Sequence, residues 1–147
     1  MFDVDPGWIG ARSIVAVTEI EKGTIRRFAQ ALGETNPIYF DEEAARAAGY
    51  PSLLAPPTFA ITLTRNPIPG LTMPRAGVIH GEQEFLYGRA MTAGDRISVS
   101  GWLAEVREVK GRRGPMTLVT LLTEGCHADG TLAFQSRSVL IIPKGVA

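Results

Sequence analysis

An α+β fold, an antiparallel sheet curved around one apolar helix, is predicted by a change of period along the chain. Before residue 65 apolar residues recur mainly at helical spacing; from 77 onward they alternate or run on over strand lengths. The two regimes are separated by 66–74, a loop with three prolines and one glycine. A third observation names the central element. Residues 58–64 are apolar nearly all round (Phe59, Ala60, Ile61, Leu63) and uncharged, as a helix buried in the middle of a domain should be.

In chain order, the β-branched run 12–17 reads as a first strand. Thr18, with Glu21 three residues on, has capping-box spacing for a helix whose buried face is Ile25, Phe28, Ala29 and Leu32. Gly33 is placed to end that helix, since glycine adopts the left-handed conformation cheaply. Pro37 forces Asn36 out of helical geometry. Asp41 caps a short alanine-rich helix, 42–48, stopped by Gly49 and Pro51. The apolar connection 52–57 follows, and Pro57 fits the first turn of the central helix, where a missing N–H costs little. Segments 77–87, 96–108, 116–127 and 131–142 then form a meander of four long strands, turning at 88–95, 110–115 and 128–130. The last turn carries Asp129-Gly130, a hairpin signal.

With 147 residues, one domain spanning 1–147 is expected. Fifteen basic and fifteen acidic side chains cancel, so nothing points to nucleic acid or an anionic membrane, and the near-zero charge fits a chain that buries surface in an oligomer. Cys126 is the sole cysteine, which excludes an intrachain disulfide and fits a reducing compartment. The first ten residues carry acids and no apolar run, and no stretch approaches the roughly 20 apolar residues of a membrane span, so a cytoplasmic protein is expected.

Chemistry concentrates in Gly33-Glu34-Thr35-Asn36-Pro37-Ile38-Tyr39-Phe40-Asp41, where two acids, an amide and a phenol lie beside a proline. Each has a plainer reading: Asn36 as a turn cap, Glu34 as a solvated carboxylate, Tyr39 as a half-buried phenol. Strand alternation sends His80 outward with Glu82 and Glu84, toward solvent or a partner chain, and leaves Phe85 and Tyr87 on the core side. His127, beside the last turn, reads as surface, and Cys126 as a structural thiol. Lys110, Arg112 and Arg113 read as solvated turn charges, with contact to substrate phosphates as the alternative. Two distant histidines and one cysteine give no metal-site spacing, so no metal is expected.

Phe28-Ala29 before Gly33, Asn36-Pro37-Ile38, Asp41, Ala44-Ala45 with Gly49, and the Gly94-Asp95 turn together resemble the MaoC-like dehydratases and (R)-specific enoyl-thioester hydratases, which have the hotdog fold. Leu54-Ala55-Pro56-Pro57-Thr58-Phe59 and His80-Gly81-Glu82-Gln83-Glu84-Phe85 look closer still to the branch called the N-terminal half of MaoC dehydratase, or FAS1-like dehydratase. The resemblance implies a hydro-lyase acting on enoyl or (R)-3-hydroxyacyl thioesters, with CoA or acyl carrier protein as part of the substrate and no separate cofactor. It implies catalytic positions at Glu34, Asn36 and Tyr39, and substrate contacts at Ala55, Pro57, Thr58 and His80. It implies a homodimer, or a heterodimer with another hotdog subunit.

The family loop reads Asp-x-Asn-Pro-x-His, and here Glu34 and Tyr39 stand where its acid and histidine would be. A phenol with a pKa of about 10 is a poor base near neutrality. The expectation is therefore a subunit with degenerate catalytic residues paired to a catalytic hotdog. An acyl-CoA-binding module without turnover is the alternative, followed by a hotdog thioesterase, which wants a carboxylate on the central helix that 58–64 lacks.

Overall fold

A computed structural model describes residues 4–64, 66–74, 76–112 and 114–144. Arg113, one of the turn cations considered above, lies outside them.

The first strand, β1 (Ala16–Glu19), starts later than the sequence predicts, and Thr18 sits inside it. Thr18 therefore does not cap the following helix. That helix, α1 (Lys22–Leu32), begins after Glu21, whose side chain makes no capping bond. Ile25 and Ala29 are fully buried and Phe28 partly so, but Leu32, expected on the same face, is 51% exposed. The helix stops where predicted. Gly33 takes φ 73°, its N–H bonds Gln30 O at 3.0 Å, and Glu34 N bonds Ala29 O at 3.0 Å, a Schellman closure.

Two short elements follow, each started by a side chain. Asn36 Oδ1 accepts from Ile38 N at 3.2 Å and opens a 3₁₀ turn, Pro37–Tyr39. Asp41 Oδ1 accepts from Glu43 N at 2.8 Å and caps α2 (Glu42–Ala47). Glu42 ties both helices to the next connection, meeting Lys22 at 2.9 Å and Ser52 Oγ at 3.2 Å.

The central element is a 3₁₀ helix, Pro57–Leu63, one residue earlier than predicted and tighter wound. Pro56 and Pro57 head it and neither can donate, while Thr62 and Thr64 spend their hydroxyls on Phe59 O and Ile61 O. Phe59 is 2% exposed and meets Phe28 of α1 edge to face, ring centres 5.4 Å apart. Burying a side chain of that size stabilises the fold by about 1.5–3 kcal/mol.

The sheet has the order β1-β3-β4-β5-β2, all neighbours antiparallel. The long strands β3 (Arg96–Gly111), β4 (Gly114–His127) and β5 (Leu132–Pro143) form the expected meander. The remaining one, β2 (Ile79–Tyr87), does not. It pairs with β5 at the far edge, so the chain crosses the sheet between β2 and β3. This five-stranded sheet with the helical segments on one face is an α+β hotdog. On that inner face Ile97, Val99 and Phe134 pack under the central helix, and Leu103, Val119 and Ile142 form a second apolar cluster.

The register of β2 shifts between His80 and Glu82. A β-bulge at Gly81 reverses the alternation, so His80 joins Gln83 and Phe85 on the inner face rather than Glu82 and Glu84 on the outer one. His80 is therefore not on the outer face expected for it, although it is exposed to solvent as expected. A β-carbon at Gly81 would meet Ile141 Cδ1 at 2.8 Å, so any larger residue there must push the Ile141 side chain aside. His127, expected on the surface, is 3% exposed and packed beneath the Gly88–Asp95 connection. Cys126 is half-buried, and burial, then the neighbouring Glu124, pushes its thiol up from the ordinary value, as suits a structural thiol. Among the described residues no helix is long and apolar enough to cross a membrane.

Candidate active site

The loop 33–41 meets the start of the central helix through backbone bonds. Leu54 N donates to Ile38 O at 3.1 Å, fixing 52–57 beside the loop. The same segment is stitched on its other side, Ala55 N to Met91 O and Ala93 N to Leu53 O, each 2.9 Å. These bonds create an apolar cavity of about 290 Å³ at the first residue of the helix, walled by Leu54, Ala55, Pro57, Tyr87, Met91 and Ala133. Tyr50 and Arg89 also line it, and Arg89 is its single charged residue.

Arg89 is held at three points. Its N–H donates to Leu132 O at 2.8 Å, its carbonyl accepts from His127 Nε2 at 3.1 Å, and its guanidinium forks onto Asp129 at 2.6 and 3.4 Å. Thr131 and Arg89 together hold the Asp129 carboxyl far below the ordinary range. Asp95 secures the other end of the connection. Its Oδ2 accepts from Thr92 N at 2.8 Å and lies 3.6 Å from His127 Nδ1. These contacts place a preorganised cation at the rim of an apolar hole.

The expected site residues fall in three places. Ala55 and Pro57 line the cavity. Tyr39 is buried on the loop behind it, and burial, then the negative charge of Glu34, then Tyr50, push its phenol up from 10.0. It is thus a donor at neutral pH. Glu34 is exposed, and Asn36 spends its side-chain oxygen on Ile38 N. Thr58 is exposed and does not line the cavity, and His80 sits in a different one, near the other end of the helix. Sequence reasoning missed Tyr50, Tyr87 and Arg89. Tyr87 was legible as an inward position, whereas Arg89 lies in a connection with no periodicity to read.

Residues 7–136 match the family described as the FAS1-like, dehydratase domain region, and the chain belongs to that family. A UPF0336 protein of Streptomyces coelicolor is 38% identical over 99 residues, which are 63% of this chain and 66% of that protein. The chain thus spans just under two thirds of that relative. Among solved structures, the HadBC (3R-hydroxyacyl-ACP dehydratase) complex from Mycobacterium tuberculosis superposes with a TM-score of 0.72 at 24% identity, over 89% of this chain and 96% of that one. A MaoC-like dehydratase gives 0.80 at 20% identity, over 94% of this chain and 43% of its own. At such identities the structures establish a shared hotdog fold, and the first of them is a complex of two different subunits.

Proposed function

We propose that this chain is one hotdog half of a hydro-lyase. It would act on trans-2-enoyl and (R)-3-hydroxyacyl thioesters of CoA or acyl carrier protein, in the cytoplasm and without a further cofactor. The observation that carries this is the apolar cavity at the head of the central helix, joined by the Leu54–Ile38 bond to a loop of hydratase shape. Apolar walls suit an acyl chain. Within 55–58 the backbone N–H left to meet a thioester oxygen is that of Thr58, because Pro56 and Pro57 carry none and Ala55 N is spent on Met91 O.

Glu34 and Tyr39 favour a supporting role in this half. A raised phenol is a donor and not a base, and an exposed carboxylate does not enclose a water. The activating pair would come from a second hotdog chain docked on this one. Pairing also relieves the open edge of β2, which otherwise exposes unpaired backbone groups. The same two side chains favour the alternative, an acyl-CoA-binding module without turnover.

The test is hydration of crotonyl-CoA by the purified chain, alone and co-expressed with a second hotdog protein. The expected result is little turnover alone and turnover in the pair. Turnover by the chain alone that Glu34→Ala abolishes would refute the supporting role. Thioester binding with no turnover in any pairing would establish the binding module.

A further inference from the structure

The connection Gly88–Asp95 joins β2 to β3 and supplies one wall of the cavity at the helix head, through Ala90 and Met91. Its sequence has no period, so its shape is set by what it is tied to. In its middle, Met91 O accepts from Ala55 N and Ala93 N donates to Leu53 O, each 2.9 Å, which fixes the residues leading into the central helix. Towards its two ends, at Arg89 and Asp95, it meets one buried side chain, the imidazole of His127 at the end of β4.

The ring meets those ends unequally. Nε2 donates to Arg89 O at 3.1 Å. Nδ1 lies 3.6 Å from Asp95 Oδ2, beyond hydrogen-bond range. In the neutral ring Nδ1 is a lone pair facing a carboxylate, and nothing draws the two together. A proton on Nδ1 makes it a cationic donor aimed at an anion. Such bonds close to about 2.7–2.9 Å, so ring and carboxylate would approach by about 0.7–0.9 Å. Asp95 Oδ2 already accepts from Thr92 N at 2.8 Å and from Thr92 Oγ1 at 3.3 Å, so the pull is passed to the backbone of the connection.

The other charges near the ring are occupied or turned away. The Arg89 guanidinium is paired with Asp129, in the turn after β4, at 2.6 Å. β3 sets Ile97 opposite His127, and the neighbouring Arg96 lies on the other face of the sheet. On β4 itself, Glu124 and Cys126 share that other face and contact each other. Asp95 is the charge that answers a proton on His127.

We propose that His127 is a positioning residue whose protonation braces the Gly88–Asp95 connection at both ends and so tightens the binding of an uncharged thioester in the cavity at the helix head. In the neutral form one tie holds the connection. In the imidazolium form the ring spans residues 89 to 95, and Met91 between them becomes a fixed wall. A wall that is already ordered loses less freedom when a ligand arrives, so affinity rises as the ring gains its proton, that is, as pH falls. The inference rests on the reading of this cavity as an acyl site; the brace itself is read separately, in the chain without ligand.

The probe is the N-acetylcysteamine thioester of butanoic acid, which carries no ionisable group and no double bond to hydrate. It is titrated by NMR into the full chain between about pH 8 and about pH 5, the span in which imidazoles ordinarily change charge. Affinity should rise about 5-fold across this span, with shifts at Tyr87, Met91 and Ala133. The rise should follow the titration of His127 and not that of His80, the other histidine of the chain. His127→Gln, whose amide can still donate to Arg89 O but takes up no proton, should remove it. Asp95→Asn, which keeps an acceptor for Thr92 and loses the charge, should cut it below about 2-fold. Without ligand, the hydrogen-exchange protection factors of the Thr92 and Ala93 amides should increase as the ring is protonated.

Binding at Tyr87, Met91 and Ala133 with an affinity that stays flat across the span overturns the inference and leaves the acyl site standing. So does a rise that survives either variant, a His127 ring that stays neutral throughout, or protection that does not change with its charge. A thioester that shifts none of these residues at any pH overturns the acyl site and the inference together. Proton-linked binding in a chain that hydrates crotonyl-CoA in no pairing refutes the hydro-lyase and leaves this inference in place.

Discussion

His127 Nε2 lies 3.1 Å from the carbonyl oxygen of Arg89, so a buried imidazole on β4 holds the backbone of the one charged residue lining the cavity at the helix head. The carbonyl can only accept, which puts a proton on Nε2. Replacing His127 by alanine leaves that carbonyl short of a partner and empties the space beneath the Gly88–Asp95 connection. The expected cost is about 1–3 kcal/mol, read as a lower urea midpoint with an unchanged slope.

The Tyr39 phenol should report on the charge of Glu34. Burial and the Glu34 charge both disfavour the phenolate, so its pKa sits above 10.0. Removing only the charge, in Glu34→Gln, should bring the Tyr39 phenol part of the way back down. Ultraviolet titration against a Tyr39→Phe control reads the shift; no movement in Glu34→Gln would show that the carboxylate does not act on the ring.

Gly33→Ala forces a β-carbon into φ 73° at the end of α1. About 1–2 kcal/mol of stability should be lost, although the space around the position is open. The Schellman bonds at Gly33 and Glu34 would loosen with it, so fraying of α1 and a disturbed 33–41 loop should appear together in hydrogen exchange.

Glu42 gives a pH signature. Its hydrogen bond with Lys22, followed by that with Ser52, holds the carboxyl below its ordinary 4.5. A folded-state value below the unfolded one means that the stabilisation is fully present above the ordinary value and lost as pH falls through the lowered one. Glu42→Gln should therefore be less stable than the parent near neutrality, with the gap closing in acid. Denaturation series at about pH 7 and about pH 3 check this, and a gap that widens in acid contradicts it.

Much of the fold was legible because its signals are local. Gly33, Asn36 and Asp41 act within two or three residues of themselves, and each behaves as the sequence indicates. Strand periods in 96–142 were equally readable, since every second side chain meets the core. What escaped depends on partners far away in sequence. Nothing near 79–87 tells it to pair with β5 rather than β3. The bulge at Gly81 is one residue long and inverts every inference drawn from alternation on its N-terminal side. His127 looks like a turn residue until the Gly88–Asp95 connection is laid over it. The Glu34 and Tyr39 substitutions were visible from the start, but their electrostatic coupling to each other and to Tyr50 needed coordinates.

Strand β2 works as a ruler. His80 stands at one end, facing the cavity under the tail of the central helix, and Tyr87 at the other, facing the cavity at its head. Both point inward only because the single bulge and the ladder to β5 keep their spacing in phase. One residue inserted or deleted between Glu82 and Leu86 would turn one end outward while the other stayed in place. The length of this strand therefore cannot drift, and the two cavities are constrained to change together.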